Sequence, residues 1–373
     1  MRAQVLESFN KPYVFRPDFP KPSSPQGHDV LVRVLAASYC HTDAVFASGA
    51  MGQDLPRVGS HEFAGIVEEL GPDAAAPGLG LQKGQLVGVP GRAYGCCGSC
   101  YECRENGGDK EGYGVWCATA DNLGLTRDGG FEEWCRVDGR QVVPVPQGLR
   151  AVDVAPLMCA GVTIWSALQA GGVDVEEEGG GKGKTVAIIG AGGGLGHLGL
   201  QFAAKLGCDV VAVDIGGAMK MVEDVASELG AGAGKVTMVD ARKEDAASAK
   251  RRVFGEPQKG REGEKGCDAC LILPEAQAAF DFGMASLRNH GICVCVSFPQ
   301  EGWHFQPGDL VFGHIKMVGV LVGRNRQLNA MINFAAKNGV RAKIRTYPLE
   351  ALNRLVDDYH KGVGGKLVVD MEK

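Results

Sequence analysis

The sequence predicts an α/β protein in which a mostly-β domain is joined to a doubly wound domain with a parallel sheet. In the first third, short apolar segments such as residues 30–36 and 65–70 are separated by clusters of Gly, Pro and Ser. From residue 185 onward, apolar strand-like runs alternate with apolar residues at helical spacing. A glycine-rich loop joins the first of these strands to its helix. A chain of 373 residues is long enough for both domains.

The order of elements in the second domain follows from this alternation. Residues 162–169 have a helical pattern, and residues 173–184 form a polar, solvated loop. The predicted strands after this loop are residues 185–189, 209–214, 236–240, 271–273 and 292–298. The alternation stops near Trp303. We therefore expect the parallel-sheet domain to span residues 161–303, and the mostly-β domain to comprise residues 1–160 and 304–373.

Composition excludes several classes of protein. The chain has a formal net charge of −5 and no dominant basic patch, so nucleic acid is not an expected partner. The first residues contain no apolar signal core, and no run of 18 apolar residues occurs. We therefore expect a soluble cytoplasmic protein with no membrane partner. In that setting the 13 cysteines are expected to be metal ligands or core thiols rather than disulfides.

The glycine-rich loop has the spacing of a dinucleotide-binding turn. Gly190, Gly193 and Gly196 are three residues apart, Gly192 and Gly194 overlap them, and Leu195 leads into the helix. Glycines allow the backbone to approach a pyrophosphate, and the helix N-terminus supplies N–H donors. Asp214 ends the next strand, where a carboxylate accepts hydrogen bonds from ribose hydroxyls and repels a 2′-phosphate. The pattern predicts NAD(H) binding, although a glycine-rich turn that binds no ligand stays an alternative.

A dense group of cysteines predicts a zinc site within residues 95–118. Cys97, Cys100 and Cys103 are three residues apart, so their thiolates can converge on one ion. Zinc in a closed site needs a fourth ligand, and Cys117 is the nearest candidate. Thirteen residues, 104 to 116, separate it from Cys103. Cys96 is a neighbouring thiol that could compete for the ion.

A second group of candidate ligands is spread along the chain. Cys40 lies in C-H-T-D and His61 lies in S-H-E, so each ligand type suits zinc and is close to a carboxylate, Asp43 or Glu62. Neither pair is diagnostic alone, because a single Cys or His in an apolar stretch is more often a core residue.

These motifs together resemble the zinc-dependent alcohol dehydrogenases of the medium-chain dehydrogenase/reductase superfamily. The resemblance runs nearly from end to end. It covers C-H-T-D, G-S-H-E-F-A-G, the cysteine group, D-G-G-F-E-E-W-C, A-P-L-M-C-A-G-V-T-I-W-S-A-L, the glycine loop and G-G-K-L-V-V-D. It implies a GroES-like catalytic domain and a Rossmann nucleotide-binding domain. It also implies a catalytic zinc on Cys40, His61 and Cys159 and a structural zinc on the cysteine group, or two Zn²⁺ per chain.

The resemblance also implies roles for individual residues. Thr42 is expected to take the hydroxyl proton of the substrate, Glu62 to lie behind the zinc, and Asp43 to support His61. His41 and Lys366 are expected near the cofactor pyrophosphate. The implied activity is NAD(H)-dependent oxidation of an alcohol or reduction of a carbonyl compound. The implied assembly is a homodimer or homotetramer formed through the nucleotide-binding domain, with residues 292–298 as a candidate edge.

The sequence departs from the family pattern at several places. Ser60 replaces the Gly of G-H-E, which leaves the ligand intact. Val45 stands where many relatives carry the His that ends the proton relay. Residues 48–56 and 89–95 lack the tryptophans that narrow the pocket of ethanol-active relatives, which predicts a substrate bulkier than ethanol. Three alternatives stay open: a reductase of activated double bonds, a non-redox enzyme acting on a bulky intermediate, and a non-catalytic binding protein.

Overall fold

A computed structural model of the chain describes residues 1–51, 54–75, 79–104 and 114–373. The described strands, numbered along the chain, are β1 (Ala3–Leu6), β2 (Val14–Arg16), β3 (Asp29–Tyr39), β4 (Arg57–Val58), β5 (Glu62–Leu70), β6 (Leu86–Pro90), β7 (Trp134–Asp138), β8 (Val143–Pro144), β9 (Thr185–Ile189), β10 (Asp209–Asp214), β11 (Val236–Asp240), β12 (Cys267–Ile272), β13 (Leu287–Cys295), β14 (Lys316–Gly319), β15 (Ile344–Tyr347) and β16 (Lys366–Asp370). The described α-helices are α1 (His41–Ala47), α2 (Tyr101–Arg104), α3 (Ala151–Val154), α4 (Ala160–Ala170), α5 (Gly196–Lys205), α6 (Met219–Glu228), α7 (Ala246–Phe254), α8 (Gln277–Ser286), α9 (Pro307–Val311), α10 (Asn325–Asn338) and α11 (Leu352–His360). Short 3-10 helices occur at Ala155–Met158, Gly216–Ala218, Glu262–Glu264 and Leu349–Ala351.

The first compact unit comprises residues 1–162 and 324–373 and is built mainly from β-strands. Its larger sheet has seven strands in the order β15-β16-β3-β5-β6-β8, with β7 also paired to β3. The smaller sheet has the order β2-β1-β4. Apolar residues of β3, β5 and β6 alternate toward a buried core that includes Val32, Phe63 and Val87. The C-terminal strand β16 pairs antiparallel with β3, so the predicted return of the tail to this unit is observed.

The second compact unit comprises residues 163–323 and contains a parallel sheet of six strands. The strand order is β11-β10-β9-β12-β13-β14. Successive strands are added on one side of β9 as far as β11 and on its other side from β12 onward. Strands β9 and β10 are the predicted apolar runs 185–189 and 209–214, and both are almost fully buried. The α/β class, with a mostly-β domain and a doubly wound parallel sheet, is confirmed.

The division of the chain differs from the predicted domain limits. We expected residues 304–323 in the mostly-β domain, but they belong to the second unit. The reason is β14, which pairs in parallel with β13 and places Lys316 opposite Ile292. This strand has only four residues, but it lies in the apolar run 317–322, so a local strand signal was available and was not used. Because β14 covers β13, the edge of the sheet is β14 and not residues 292–298.

No single helix among the described residues is long and apolar enough to cross a membrane. Two helical segments joined by a bend of 47°, Ala151–Met158 and Ala160–Ala170, meet that test together by length and composition alone.

Candidate metal centres and nucleotide loop

Three distant segments of the first unit bring Cys40, His61 and Cys159 together. Cys40 lies between β3 and α1, His61 precedes β5, and Cys159 follows the 3-10 helix Ala155–Met158. Their sulfur and nitrogen ligand atoms all lie within 4.8 Å of one another. The structure therefore assembles the group of residues that the resemblance implied for the catalytic zinc.

Asp43 orients Cys40 and His61 through hydrogen bonds to its two carboxylate oxygens. Its Oδ2 accepts a hydrogen bond from the backbone N–H of Cys40 at 2.8 Å. Its Oδ1 lies 3.2 Å from both the backbone nitrogen of Ser60 and Nδ1 of His61. A buried carboxylate in this position holds a proton on Nδ1, so Nε2 is the nitrogen available to bind a metal.

The free nitrogen of His61 supplies a test of whether the residues fit a metal. Its Nε2 is buried and makes no hydrogen bond of normal geometry within the described residues. A buried polar atom without a partner is costly, and here it lies next to the thiols of Cys40 and Cys159. Two thiolates and one imidazole form a donor set that suits zinc and leaves a fourth position open. The residues fit the metal.

Ser60 adopts a backbone conformation that favours glycine. Its φ angle is 71°, in the left-handed region. The hydroxyl donates to the carbonyl of Ser38 at 3.1 Å, and the backbone N–H donates to Asp43. These bonds compensate the strain, so the Ser in place of the family's Gly keeps His61 in position.

The protonation states of Cys40, His61 and Cys159 depend on one another. The thiol of Cys159 donates to Cys40, and this bond, with Lys366 and His61 nearby, holds the pKa of Cys40 well below its ordinary value despite burial. The same bond and burial raise the pKa of Cys159. Burial alone would lower the pKa of His61, but Asp43 and Cys40 outweigh it and raise that pKa to about 10. The site thus favours a thiolate at Cys40.

Glu62 and Lys366 form a buried ion pair in the same unit. The Lys366 ammonium donates to the Glu62 carboxylate and, at 3.1 Å, to the carbonyl of Tyr39. Burial raises the pKa of Glu62 to about 7, while Lys366 acts in the opposite direction. The structure places the Lys366 ammonium on Glu62. The predicted contact of Lys366 with a cofactor pyrophosphate stays a prediction.

His41 and Thr42 form the first turn of α1. The hydroxyl oxygen of Thr42 lies 4.0 Å from the sulfur of Cys40. His41 is exposed, and its Nδ1 is 2.9 Å from the hydroxyl of Tyr359. Their predicted roles in proton transfer and cofactor binding stay predictions.

Cys97, Cys100, Cys103 and Cys117 form a second cluster of ligands, which we call the four-thiol cluster. Their sulfur atoms lie within 4.8 Å of one another, including 3.5 Å between Cys100 and Cys103. The thiol of Cys96 instead donates to the carbonyl of Ala93 at 3.2 Å. Of the two candidates, the structure therefore brings Cys117, not Cys96, to the cluster. The segment 105–113, which includes most of the long gap before Cys117, lies outside the described residues.

The glycine loop of the second unit joins β9 to α5. Gly190 has a φ of 85°, and a Cβ at Gly196 would overlap the carbonyl of Gly190, so both positions need glycine. The backbone N–H of Gly192 donates to the Asp214 carboxylate at 2.7 Å. Gly193, Gly194 and Leu195 complete the turn, and Gly193 is exposed. A cavity of about 650 Å³ next to the loop is lined by residues that include Gly190, Asp214, Ile215, Pro274 and Phe282.

Arg92 lies near the group of Cys40, His61 and Cys159, which we call the dispersed group, and no sequence pattern predicted a role for it. It follows β6, whose last residue, Pro90, pairs with Glu62. Burial lowers the pKa of the Arg92 guanidinium, and the thiols of Cys159 and Cys40 oppose that shift. A cation inside the otherwise apolar and glycine-rich run of residues 87–95 was the available signal.

Known proteins are similar to this chain over its whole length. Residues 26–147 match the alcohol dehydrogenase GroES-like domain, and residues 194–337 match the zinc-binding dehydrogenase family. An alcohol dehydrogenase of Geobacillus stearothermophilus is 33% identical over 375 residues, covering 100% of both chains. An alcohol dehydrogenase of Moraxella sp. is 29% identical over 374 residues, covering 99% of both chains. The crystal structure of the alcohol dehydrogenase from Aeropyrum pernix is similar, with a TM-score of 0.81 at 26% identity, over 99% of this chain and 100% of that one.

Proposed function

Because the chain belongs to the zinc-type alcohol dehydrogenases of the medium-chain dehydrogenase/reductase superfamily, and is therefore an oxidoreductase, we propose that it transfers hydride between NAD(H) and an alcohol or carbonyl substrate at a zinc held by Cys40, His61 and Cys159. The observation that supports this most is the convergence of three ligand atoms within 4.8 Å, one of them the unpartnered buried Nε2 of His61.

The residues of the chain prepare the chemistry in defined ways. A zinc bound by this donor set acts as a Lewis acid that lowers the pKa of an alcohol and polarises a carbonyl group. Asp43 keeps the proton of His61 on Nδ1 and aligns Cys40 through its backbone N–H. Lys366 balances the charge of Glu62 in the buried interior behind Cys40. Thr42 Oγ1, 4.0 Å from the Cys40 sulfur, is the group we assign to receive the hydroxyl proton of the substrate.

The proton path after Thr42 lacks a side-chain acceptor, so the bulk pH is expected to control the reaction more strongly. Val45 lies one turn farther along α1 and offers no acceptor. Alcohol oxidation must release a proton, so it is expected to be slow at neutral pH and to rise in alkaline buffer. Carbonyl reduction consumes a proton and is expected to be favoured near neutral pH.

The other sites would hold the second zinc and the cofactor. The four-thiol cluster has the closed donor set of a structural zinc, giving two Zn²⁺ per chain. In the second unit, the glycine loop and α5 would hold the pyrophosphate of NAD(H), and Asp214 would hold the ribose hydroxyls. The carboxylate of Asp214 also disfavours the 2′-phosphate of NADP(H).

We further propose a substrate bulkier than ethanol, because tryptophan is absent from residues 48–56 and 89–95. Residues 52–53 of the first stretch lie outside the described part of the structure. For assembly we propose a homodimer or homotetramer in the cytoplasm. The edge strand β14 and the nearby exposed side chains of Val311 and Phe312 are the surface that supports it.

The test is to measure turnover of a panel of substrates through the absorbance of NADH, and to measure the zinc content of the same sample. We expect turnover of benzyl alcohol and larger aromatic alcohols or aldehydes to exceed that of ethanol. A strong preference for ethanol contradicts the proposed pocket. Complete substrate conversion with unchanged NADH absorbance, or activity that survives removal of zinc, contradicts the proposed reaction and favours the non-redox or double-bond-reducing alternatives.

A further inference from the structure

The backbone on both sides of Arg92 is held against the segment that carries His61. The N–H of Gly91 donates to the carbonyl of His61 at 2.6 Å, and the N–H of Leu123 donates to the carbonyl of Gly91 at 2.7 Å. A side chain at Gly91 would overlap the Cβ of His61, so the two segments are in direct contact. Farther along, Tyr94 and Asp121 exchange two backbone hydrogen bonds of 2.9 and 2.8 Å. The backbone on both sides of Arg92 is therefore held in place, with Gly91 directly against His61.

The side chain of Arg92 is partly buried and has no acidic partner within the described residues. No hydrogen bond or ion pair involves its guanidinium there. The thiols of Cys159 and Cys40 are near enough to oppose the effect of burial, which lowers the pKa of the guanidinium. Several other arginines of the same unit do pair with a carboxylate, namely Arg57 with Asp128, Arg127 with Asp121, Arg136 with Asp29, Arg140 with Asp138 and Arg150 with Asp153.

The two thiols cannot serve as the counter-ion of Arg92 once zinc is bound. Two thiolates and one Zn²⁺ sum to zero charge, and the imidazole adds none. A guanidinium that has lost part of its hydration and has no counter-charge is unfavourable. A bound anion next to the zinc site would relieve that cost.

We propose that Arg92 binds a carboxylate of the substrate, so that the enzyme acts on alcohols and carbonyl compounds that carry an acid group. The planar guanidinium has two parallel N–H donors that match the two oxygens of a carboxylate. This assignment rests on the proposed function for the reacting carbon. In the reductive direction that carbon accepts hydride from NADH, its oxygen accepts a proton, NADH becomes NAD⁺, and the carboxylate is unchanged.

The kinetic test compares two aldehydes of the same shape and different charge, 3-formylbenzoate and 3-formylbenzamide. We expect Arg92→Met to lower kcat/KM for 3-formylbenzoate by about ten- to a hundred-fold, the usual range for a hydrogen bond to a charged group. The amide should change by less than about threefold, since it makes no charge-assisted bond. Arg92→Lys, which keeps the charge, should restore part of the loss. Arg33→Met, which removes an exposed arginine near Glu68, is the matched control.

A binding measurement separates this assignment from the proposed reaction. Calorimetry with the zinc-loaded enzyme, benzoate and benzamide needs no hydride transfer. Tighter binding of benzoate than benzamide, lost in Arg92→Met and kept in Arg33→Met, supports the anion site even if no aldehyde is turned over. Equal binding of benzoate and benzamide by the wild type overturns it, whatever the variants do. Unchanged benzoate binding in Arg92→Met also overturns it, as does a loss of NADH affinity in that variant without a loss of benzoate affinity.

Discussion

The first unit holds two groups of side chains that could hold a metal ion, the four-thiol cluster and the dispersed group of Cys40, His61 and Cys159. The members of the four-thiol cluster lie within 21 residues of sequence, from 97 to 117, and offer four thiols. The dispersed group offers three ligands from three segments and is backed by the buried groups Asp43, Glu62 and Lys366. Four thiolates close a tetrahedron, whereas three ligands leave a position for substrate. The difference supports the proposal that the four-thiol cluster is a structural site and that the dispersed group, with its buried charges, is the reactive one.

The largest expected effect comes from breaking the dispersed group at Cys40. We expect Cys40→Ser to lower kcat/KM by about 10³-fold or more, equivalent to roughly 4 kcal/mol, because the Lewis-acid metal is lost. Circular dichroism should show a folded protein, since the four-thiol cluster is untouched. The measurement is NADH-linked kinetics with zinc content on the same preparation. A Cys40→Ser enzyme within tenfold of wild type would contradict the assignment.

A smaller loss is expected when a supporting charge is removed but every ligand is kept. Asp43→Asn should weaken zinc binding or activity by about 10–100-fold, the usual effect of losing a partner that orients a metal ligand. The amide oxygen of Asn can still accept the N–H of Cys40, but its NH2 group cannot accept the Nδ1–H of His61. Competition with a zinc chelator measures the affinity. Asp121→Asn, at an acid that pairs with Arg127, is the control and should leave zinc affinity unchanged.

The four-thiol cluster should affect stability more than catalysis. We expect Cys103→Ser to cost at least about 2 kcal/mol of unfolding free energy, or roughly 4–8 °C in Tm. Its kcat at 20 °C should stay within about threefold of wild type. Differential scanning calorimetry and kinetics on the folded protein provide the two numbers. Loss of activity with unchanged Tm would reverse the roles that we assign to the two groups.

The smallest expected effect concerns the protonation of two thiols within the four-thiol cluster. In the zinc-free protein, hydrogen bonds from Ser99 and from backbone N–H groups lower the pKa of Cys97 to about 5, whereas burial raises the pKa of Cys103 to about 12. Cys97 is therefore a thiolate throughout pH 6–8, and its alkylation rate should change by less than about twofold. The rate at Cys103 should rise about tenfold per pH unit, because its thiolate fraction does. Peptide mass spectrometry after iodoacetamide treatment measures the alkylation of Cys97 and Cys103 separately. The same pH dependence for both thiols would contradict the difference between their pKa values.

The sequence was most informative where a signal is local. Strands β9 and β10 were predicted at their observed limits because each is a continuous apolar run. The four-thiol cluster was visible from its spacing, and the structure brings Cys117 into it. These strands and the four-thiol cluster could be predicted because residues close together in the sequence determine them.

Features that depend on distant contacts were not predictable from local pattern. Cys159 was assigned only through the family resemblance, since 97 residues separate it from His61. The assignment of β14 to the second unit was missed because it depends on the pairing of this strand with β13. Arg92 was missed because the burial of a cation and the absence of an acidic partner are properties of the folded surroundings.

The central claim is that the dispersed group, and not the four-thiol cluster, holds the catalytic zinc. The most direct measurement follows zinc content and activity together during stepwise removal of metal from wild type and from Cys103→Ser. We predict two zinc ions per chain in the wild type and one in Cys103→Ser, with activity in both falling in proportion to the ion bound by Cys40, His61 and Cys159. Full activity after that ion has been removed, or a Cys103→Ser protein that is folded and keeps one zinc but is inactive, would contradict the account.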